Sequence, residues 1–463
     1  MSQAHHIAVI DIGKTNVKLA LVDRATLVEL DVVTRPNTVL PGPPWPHFDT
    51  EGHWAFLKAA LAKVHADHGI DAISITTHGA CAALLTAEGE LAAPVLDYEH
   101  GGPDAVAADY DALRPGFAET GSPRLPHGLN LGAQLHWQFL AEPGLRDRVA
   151  LVVTWPQYWA HRLTGVAASD VTSLGCHTDL WNPAAGAFSS LVARLGLDGR
   201  MAPPLRSDTV LGTILPEIAA ETGLDRATPV VCGIHDSNAS LLAHLLSQPA
   251  PFAVVSTGTW VVVMAVGGKP IPLDPRRDTL INVNALGDPV PSARFMGGRE
   301  YEAIRAGRDL AASAEDLAAV LAAGVMLLPA VEPASGPFPG CKMRWHPEEA
   351  RDAGPRGAAL SFYLALMTAE CLAITGASGP VIVEGPFAAN EGYLWMLAAA
   401  TGLPVRRARS RTGTSIGAAL LFGRGDGVAG ATDRIEAPAA LAAPLAAYAR
   451  AWQAAARSGF RQV

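Results

Sequence analysis

The chain has 463 residues, of which 49% are apolar and 17% charged, and its net charge is −9. That length suits two or three domains with a large core, and the composition excludes a disordered chain. The acidic balance argues against a nucleic-acid binder with a basic stripe. The apolar stretches read as broken by Gly, Pro or charge before they reach a membrane span. The N-terminus lacks a basic region followed by an apolar core, so a cytoplasmic setting is expected rather than secretion. The five cysteines, at 81, 176, 232, 341 and 371, are scattered without a CxxC, as reduced buried thiols would be.

In chain order, residues 7–10 form an apolar run that ends at Asp11. A tight polar turn, Gly13-Lys14-Thr15-Asn16, comes next, and a second apolar run spans 17–22. This predicts a β-hairpin with one carboxylate at its mouth, and a third strand up to residue 33. Gly13-Lys14-Thr15 looks like the end of a P-loop. That motif needs a glycine where Ala8 stands and a helix where 17–22 reads as strand, so it is rejected. Residues 36–46 are a Pro-rich loop. Residues 54–65 have helical spacing, with Trp54, Leu57, Leu61 and Val64 on one face. A short buried strand at 72–76 delivers Thr77-His78-Gly79. Residues 95–100 read as another strand end, bearing Tyr98, Glu99 and His100.

Helices are predicted over 131–140 and 156–163, the second stopping at Gly165, with a strand at 150–153 before it. A strand at 229–232 runs into Gly233-Ile234-His235-Asp236, and a helix continues over 237–246. Two prolines within 247–251 mark a hinge, which divides the chain into domains 1–247 and 248–463. The hairpin pattern then returns: an apolar run at 252–255, the turn Ser256-Thr257-Gly258-Thr259, and a second run at 260–266. Further on, strands are expected at 324–329 and 381–383. Helices are expected at 358–375, 391–401, 412–422 and 438–458, with the loop Gly385-Pro386-Phe387 before the second of them.

Two hairpins with small hydroxylated turns suggest a duplicated fold that holds a phosphate, since turn amides and Thr hydroxyls are good anion ligands. Asp11 would repel a bare phosphate unless a cation such as Mg²⁺ lies between them. Gly13, Lys14, Thr15 and Lys18 then face the phosphates from the first hairpin, and Thr257, Gly258 and Thr259 from the second. For either lysine alone, solvated surface charge is the plainer alternative. Asp236 comes after a short strand and opens a helix. It is either an N-cap or the general base that accepts a proton from a substrate hydroxyl attacking a γ-phosphate. Gly385, Pro386, Phe387 and Asn390 suit a nucleotide base or ribose close to backbone, and Gly298 is a fainter signal of the same kind. His78, Gly79, Tyr98, His100 and Gln157 are candidates to bind sugar hydroxyls. No zinc spacing and no nucleophile elbow occur.

Taken together and in this order, the motifs resemble the FGGY family of carbohydrate kinases, within the actin/hexokinase/Hsp70-like ATPase superfamily. Asp11 to Lys18 resembles that family's Asp-x-Gly-Thr-Thr-x-x-Arg phosphate loop, with Lys14 in place of the first Thr and Lys18 in place of the Arg. Thr77-His78-Gly79 is similar to a Met-His-Gly segment of its xylulose kinases, and Gly233 to Asp236 to its Gly-x-x-Asp segment. Ser256 to Thr259 resembles its second phosphate loop, and Gly385 to Asn390 with Thr414 to Ala419 its adenosine segment and Gly-Ala-Ala helix. Two departures stand out: Gly385-Pro386 where the family has Gly-Gly, and Leu96 to His100 where it has Trp-x-Asp-x-Arg.

The resemblance implies an α/β fold of two ribonuclease-H-like (actin-like ATPase) domains around a central cleft. It implies ATP and Mg²⁺ as cofactors, with Asp11 and Asp236 facing the metal and Asp236 as the base. The substrate is expected to be a ketose, such as a pentulose or deoxyhexulose, or a polyol. No nucleic acid or membrane partner is expected, and a homodimer is allowed. Two competing readings are a superfamily ATPase without a sugar substrate and a sugar-binding regulatory protein. The first would need an appended client-binding domain. The second would tolerate loss of Asp11 or Asp236.

Overall fold

A computed structural model describes residues 4–348, 356–409, 413–423 and 431–460. The chain forms two compact units. Unit one takes 1–248, 281–289 and 412–429; unit two takes 249–280, 290–411 and 430–463. The division thus falls after Gln248, inside the expected hinge, and two later segments return to unit one.

Unit one is built on a seven-stranded sheet. Its order is Val210–Thr213, Pro229–Val231, Ala72–Thr77, His6–Ile12, Asn16–Asp23 and Val28–Pro36, and Ile234–His235 also pairs with Ala72–Thr77. Residues 7–10 and 72–75 are fully apolar or small because these strands are central and covered on both faces. The predicted hairpin closes through the Gly13 amide, which donates to the Asn16 carbonyl at 2.9 Å. His6–Ile12 and Ile234–His235 both run parallel to Ala72–Thr77, and Thr77 stands level with Ile12 on one side and His235 on the other. Gly13, His78 and Asp236 therefore leave the sheet side by side, at the carboxyl ends of parallel strands where such folds place ligands.

The helix Thr50–His68 is capped by Asp49, whose carboxylate accepts the Gly52 amide at 3.0 Å, and it buries Trp54, Leu57, Leu61 and Val64 as their spacing predicts. Trp155–Thr164 stops at Gly165, whose φ of 73° is left-handed. Residues 95–100 are a short strand end that runs into a turn: Leu96 forms an antiparallel β-bridge with His47, the Val95 carbonyl accepts the Phe48 amide at 3.0 Å and the Asp97 amide donates to the Pro46 carbonyl at 3.0 Å. The Asp97 side chain then accepts the Glu99 amide at 3.2 Å and its carbonyl accepts the His100 amide at 3.0 Å, so an Asx-type turn ends the pairing there.

A second seven-stranded sheet, all but residues 281–283 and 289 of it in unit two, repeats the plan in the order Thr279–Val283, Pro289–Phe295, Val261–Val266, Phe252–Thr257, Val381–Glu384, Val405–Ala408 and Thr432–Arg434. The hairpin strands Phe252–Thr257 and Val261–Val266 are antiparallel, and Val381–Glu384 lies parallel to the first of them, with Ser256 level with Glu384. The helix Arg356–Ile374 fills the core of this unit. By length and composition it could cross a membrane, contrary to the reading that no stretch is long enough, but its side chains are buried inside the protein. The strand expected at 324–329 is shorter, Met326–Leu328, because Gly324 caps the preceding helix with φ 65°. The 412–422 helix is observed as Thr414–Ala419 and a 3₁₀ turn Leu420–Phe422; Thr412 lies outside the described residues.

Unit two also buries Glu300, on the helix Gly297–Arg305. Its carboxyl accepts the Glu332 amide at 3.0 Å and the Tyr363 hydroxyl at 3.1 Å, and burial pushes its pKa up to about 7. The folded state thus favours the protonated form. The stability this contributes is complete below the ordinary Glu pKa and is lost as pH rises through 7, a change on the order of 3 kcal/mol. Thermal melts between pH 5 and pH 8 should show wild type losing stability against Glu300→Gln, which keeps an acceptor without the charge. Parallel pH curves for the two proteins would refute this.

Candidate active site

Asp11 is the second-to-last residue of its strand, directly across the hairpin from Lys18. Lys18 Nζ stands 3.3 Å from Asp11 Oδ2 and 3.5 Å from Glu29, and the Thr414 hydroxyl donates to Asp11. Burial raises the Asp11 pKa, Lys18 and Thr414 pull against it, and the negative charge of Asp236 adds to the rise. The two carboxylates are therefore electrostatic neighbours.

Asp236 is the first residue of the helix Asp236–Ser247, whose N-cap is His235. Its carboxylate accepts from the Ser237 amide at 2.6 Å and lies 3.3 Å from His235 Nε2. Asp236 stands at the first helical position, inside the N-cap, and takes up the free amide of the second position, while its side chain stays half-buried with a face to solvent. Burial works against a charge on His235. Cys176 and Asp236 outweigh it and push the imidazole up to about 10, while His177 and His235 draw the buried Cys176 thiol down. The His235 amide also donates to Thr172 Oγ1 at 3.0 Å, which fixes the backbone just before Asp236.

Lys14 is committed. Its Nζ pairs with Asp97 and, at 3.1 Å, with Glu99, and it stands 4.7 Å from the Tyr98 ring centroid and 5.3 Å from that of Phe48. The His78 ring lies against the same two rings, 5.2 Å from Phe48 and 5.3 Å from Tyr98. His78 Nδ1 pairs with the Gly79 carbonyl at 2.8 Å, whereas its Nε2 is buried without a partner. Glycine at 79 lets the His235 ring approach closely, since a side-chain carbon there would stand 2.8 Å from His235 Nε2.

His100, expected beside these groups, packs on Trp137 at 5.0 Å. Gln157, expected among the sugar ligands, is fully buried. Its Nε2 donates to the Cys232 carbonyl at 2.8 Å and its Oε1 accepts from Thr154. Thr15 is exposed and its carbonyl accepts the Asn37 amide, while Asn37 Nδ2 donates to the Gly13 carbonyl at 2.8 Å. Asn37 thus braces the first turn. Sequence reasoning missed it, because 24 residues separate it from the turn.

Unit two holds a cavity of about 1030 Å³ lined by Gly258, Thr259, Gly298, Arg299, Tyr301, Pro386, Phe387, Asn390 and Trp395 among others. That is the size and apolar-aromatic character of a small-molecule site. Its walls depend on absent side chains. A side-chain carbon at Gly298 would stand 2.2 Å from the Gly258 carbonyl oxygen, and one at Gly385, with φ +82°, would stand 2.0 Å from that of Thr257. The Thr257 hydroxyl donates to the Glu384 carbonyl at 2.6 Å and accepts the Phe387 amide at 3.1 Å, which locks the second hairpin to the Gly385 turn. Asn390 caps the helix Glu391–Thr401 through the Tyr393 amide and donates to Ser361. Tyr301 and Trp395 were not foreseen. The Gly297-Gly298 pair opening a helix, with Tyr301 one turn in, was the available signal for the first.

Both cofactors fit these residues. Two neighbouring carboxylates are a donor set that suits Mg²⁺, which keeps waters and phosphate oxygens for its other positions. Among the described residues no cluster of three or more His, Cys, Asp or Glu side chains is arranged to enclose a metal. The glycine-backed, aromatic-walled cavity of unit two suits a nucleoside.

Comparison with known proteins agrees. Residues 6–243 match the N-terminal domain of the FGGY family of carbohydrate kinases, and residues 249–430 match the carbohydrate kinase FGGY C-terminal domain. The crystal structure of a carbohydrate kinase from Novosphingobium aromaticivorans is 39% identical, with a TM-score of 0.89 over 97% of this chain and 100% of that one. An L-fuculokinase from Salmonella typhi is 24% identical over 57% of each chain. An autoinducer-2 kinase from Yersinia enterocolitica is 27% identical over 65% of this chain and 62% of its own. The chain thus spans little more than half the length of the curated relatives it matches. A xylulose kinase structure from Rhodospirillum rubrum, 21% identical with a TM-score of 0.77, shares the two-domain fold.

Thr257→Val retains the shape of the second turn and removes the hydroxyl that serves two backbone groups. It should cost about 1–3 kcal/mol, read as a lower denaturation midpoint. Unchanged stability would show that water takes over both bonds.

Proposed function

Since the chain belongs to the FGGY family of carbohydrate kinases, we propose that it transfers the γ-phosphoryl group of ATP to a hydroxyl of a small ketose or polyol, with Asp236 as the general base. The observation that carries this reading is the level ending of three parallel strands, which sets Asp11, His78 and Asp236 at one edge of the unit-one sheet. Asp236 is half-buried at the start of its helix, with part of its side chain open to solvent, as a group that must reach a substrate proton should be.

In this reading the sugar hydroxyl gives its proton to an Asp236 carboxylate oxygen while the hydroxyl oxygen forms its bond to phosphorus. General-base assistance of this kind is worth about 10²–10⁴-fold, and the remainder of the acceleration comes from positioning and charge neutralisation. Asp11, with Asp236 beside it, would hold Mg²⁺, which when bound offsets the negative charge of the phosphates. Gly13, Thr15 and Lys18 would meet the phosphates from unit one, and Thr257, Gly258, Thr259 and Gly298 from unit two. Tyr301, Gly385, Pro386 and Phe387 would bind the adenosine. The relatives named L-fuculokinase and autoinducer-2 kinase support a small polyhydroxylated substrate. A cytoplasmic location, where ATP is made, accompanies the reading and agrees with five buried, unpaired cysteines.

A coupled ADP-release screen across ketoses and polyols identifies the acceptor. With it, Asp236→Asn should lower kcat by about 10²–10⁴-fold and leave ATP affinity within threefold; retained turnover in that variant would remove the base assignment. Asp11→Asn should raise the Mg²⁺ concentration needed for half-maximal rate, and an unchanged Mg²⁺ dependence would count against the metal role.

A further inference from the structure

The first turn was expected to point Lys14 at phosphate, but its ammonium group is bound by the 97–99 turn, 83 residues away. Three of the contacts are electrostatic or hydrogen-bonding in kind: the ion pair to Asp97, the ion pair to Glu99 at 3.1 Å, and the approach to the Tyr98 ring face at 4.7 Å. Phe48 adds a second ring at 5.3 Å. The same two rings carry His78, a buried imidazole whose Nε2 has no hydrogen-bond partner. Asp236 acts on this group of residues too: its charge reaches both His78 and Tyr98. Lys14 thus stands among rings and hydrogen-bonding groups, with its charge already answered twice.

We propose that Lys14 is a specificity-determining residue of the sugar subsite and not a phosphate ligand, and that this subsite accepts neutral polyhydroxylated substrates and rejects sugar acids. The inference rests on the kinase reading above. Its chemistry rests on the donor inventory. An ammonium group has three protons, and two carboxylates leave one for a substrate hydroxyl, while the remaining lone pairs of Asp97 and Glu99 accept from hydroxyls. Of the two rings beside Lys14, Phe48 is fully buried, and the partly exposed Tyr98 is the one that the C–H side of a sugar can meet. An anionic substrate would meet Asp97, Glu99 and Asp236 with Lys14 already paired, and an uncompensated charge is costly to bury.

The test uses the full-length protein and the neutral ketose or polyol that gives the fastest ADP release. Lys14→Gln keeps most of the length of the side chain and removes its charge. It should raise KM for the sugar at least tenfold while KM for ATP stays within twofold. Glu99→Gln should likewise change the sugar KM and not the ATP KM. The wild type should turn over D-gluconate at less than a hundredth of the rate of the neutral sugar. A comparable rise in the ATP KM of Lys14→Gln, an unchanged sugar KM, or equal use of gluconate would overturn the proposal. These outcomes are distinct from failure of the kinase reading, which would appear as no ADP release from the wild type with any neutral sugar or polyol.

Discussion

The constraint on which the site depends is the register of three parallel strands. Ile12, Thr77 and His235 stand level, and one residue further along each strand the chain presents Gly13, His78 and Asp236. A slip of one residue would turn every side chain of a strand to the opposite face. In the central strands both faces are packed, with Ile7 and Val9 in one layer and Ala8, Ile10 and Ile12 in the other, so a slip would exchange side chains of different shape and carry Asp11 into a fully buried position. A charge buried without a partner is costly. Apolar packing therefore fixes where the carboxylates stand, and the polar residues decide only what is done there.

Unit two applies the same construction to a different end. Its hairpin and the parallel strand Val381–Glu384 also finish level, at Ser256 and Glu384. Past that level the chain presents glycine and hydroxyl rather than carboxylate: Gly258, Thr259 and Gly385. The close approaches of Gly298 to Gly258 and of Gly385 to Thr257 leave no room for a side-chain carbon, so backbone amides and carbonyls form the surface. One strand-end geometry thus yields two carboxylates in unit one and, in unit two, turns whose close approaches leave backbone groups at the surface.

The parts legible in the sequence are those set by local pattern. Both hairpins, the spacing of Trp54, Leu57, Leu61 and Val64, the stop at Gly165 and the helix opened by Asp236 depend on residues near one another in the chain. The parts that were not legible are settled over long separations. Lys14 pairs with the 97–99 turn, Gln157 spends its amide on Cys232, and Asn37 braces Gly13. Each is a polar residue whose chemistry was recognisable and whose partner was not. Residues 95–100 were legible in part: Leu96 bridges His47 as a strand residue does, and the chain turns after it where the Asp97 side chain accepts the Glu99 amide.

The segment that completes the acidic edge comes from far along the chain. Thr414 donates to Asp11 across 403 residues, and the Ser74 hydroxyl donates to the Ala418 carbonyl at 2.7 Å. The helix Thr414–Ala419 lies so close to Asp236–Ser247 that a side-chain carbon at Gly417 would fall 1.8 Å from the Ala239 carbonyl oxygen. Ala418, Ala419 and Leu420 also close the apolar cluster formed by Ile7, Val9, Val231 and Ala239. Without this segment, that cluster would be open to water, and Asp11 would lose one of the two partners that offset its burial. The carboxylate at the mouth of the first hairpin is therefore set only once residues beyond 413 have docked. The first 248 residues hold the catalytic candidates but do not by themselves furnish their surroundings.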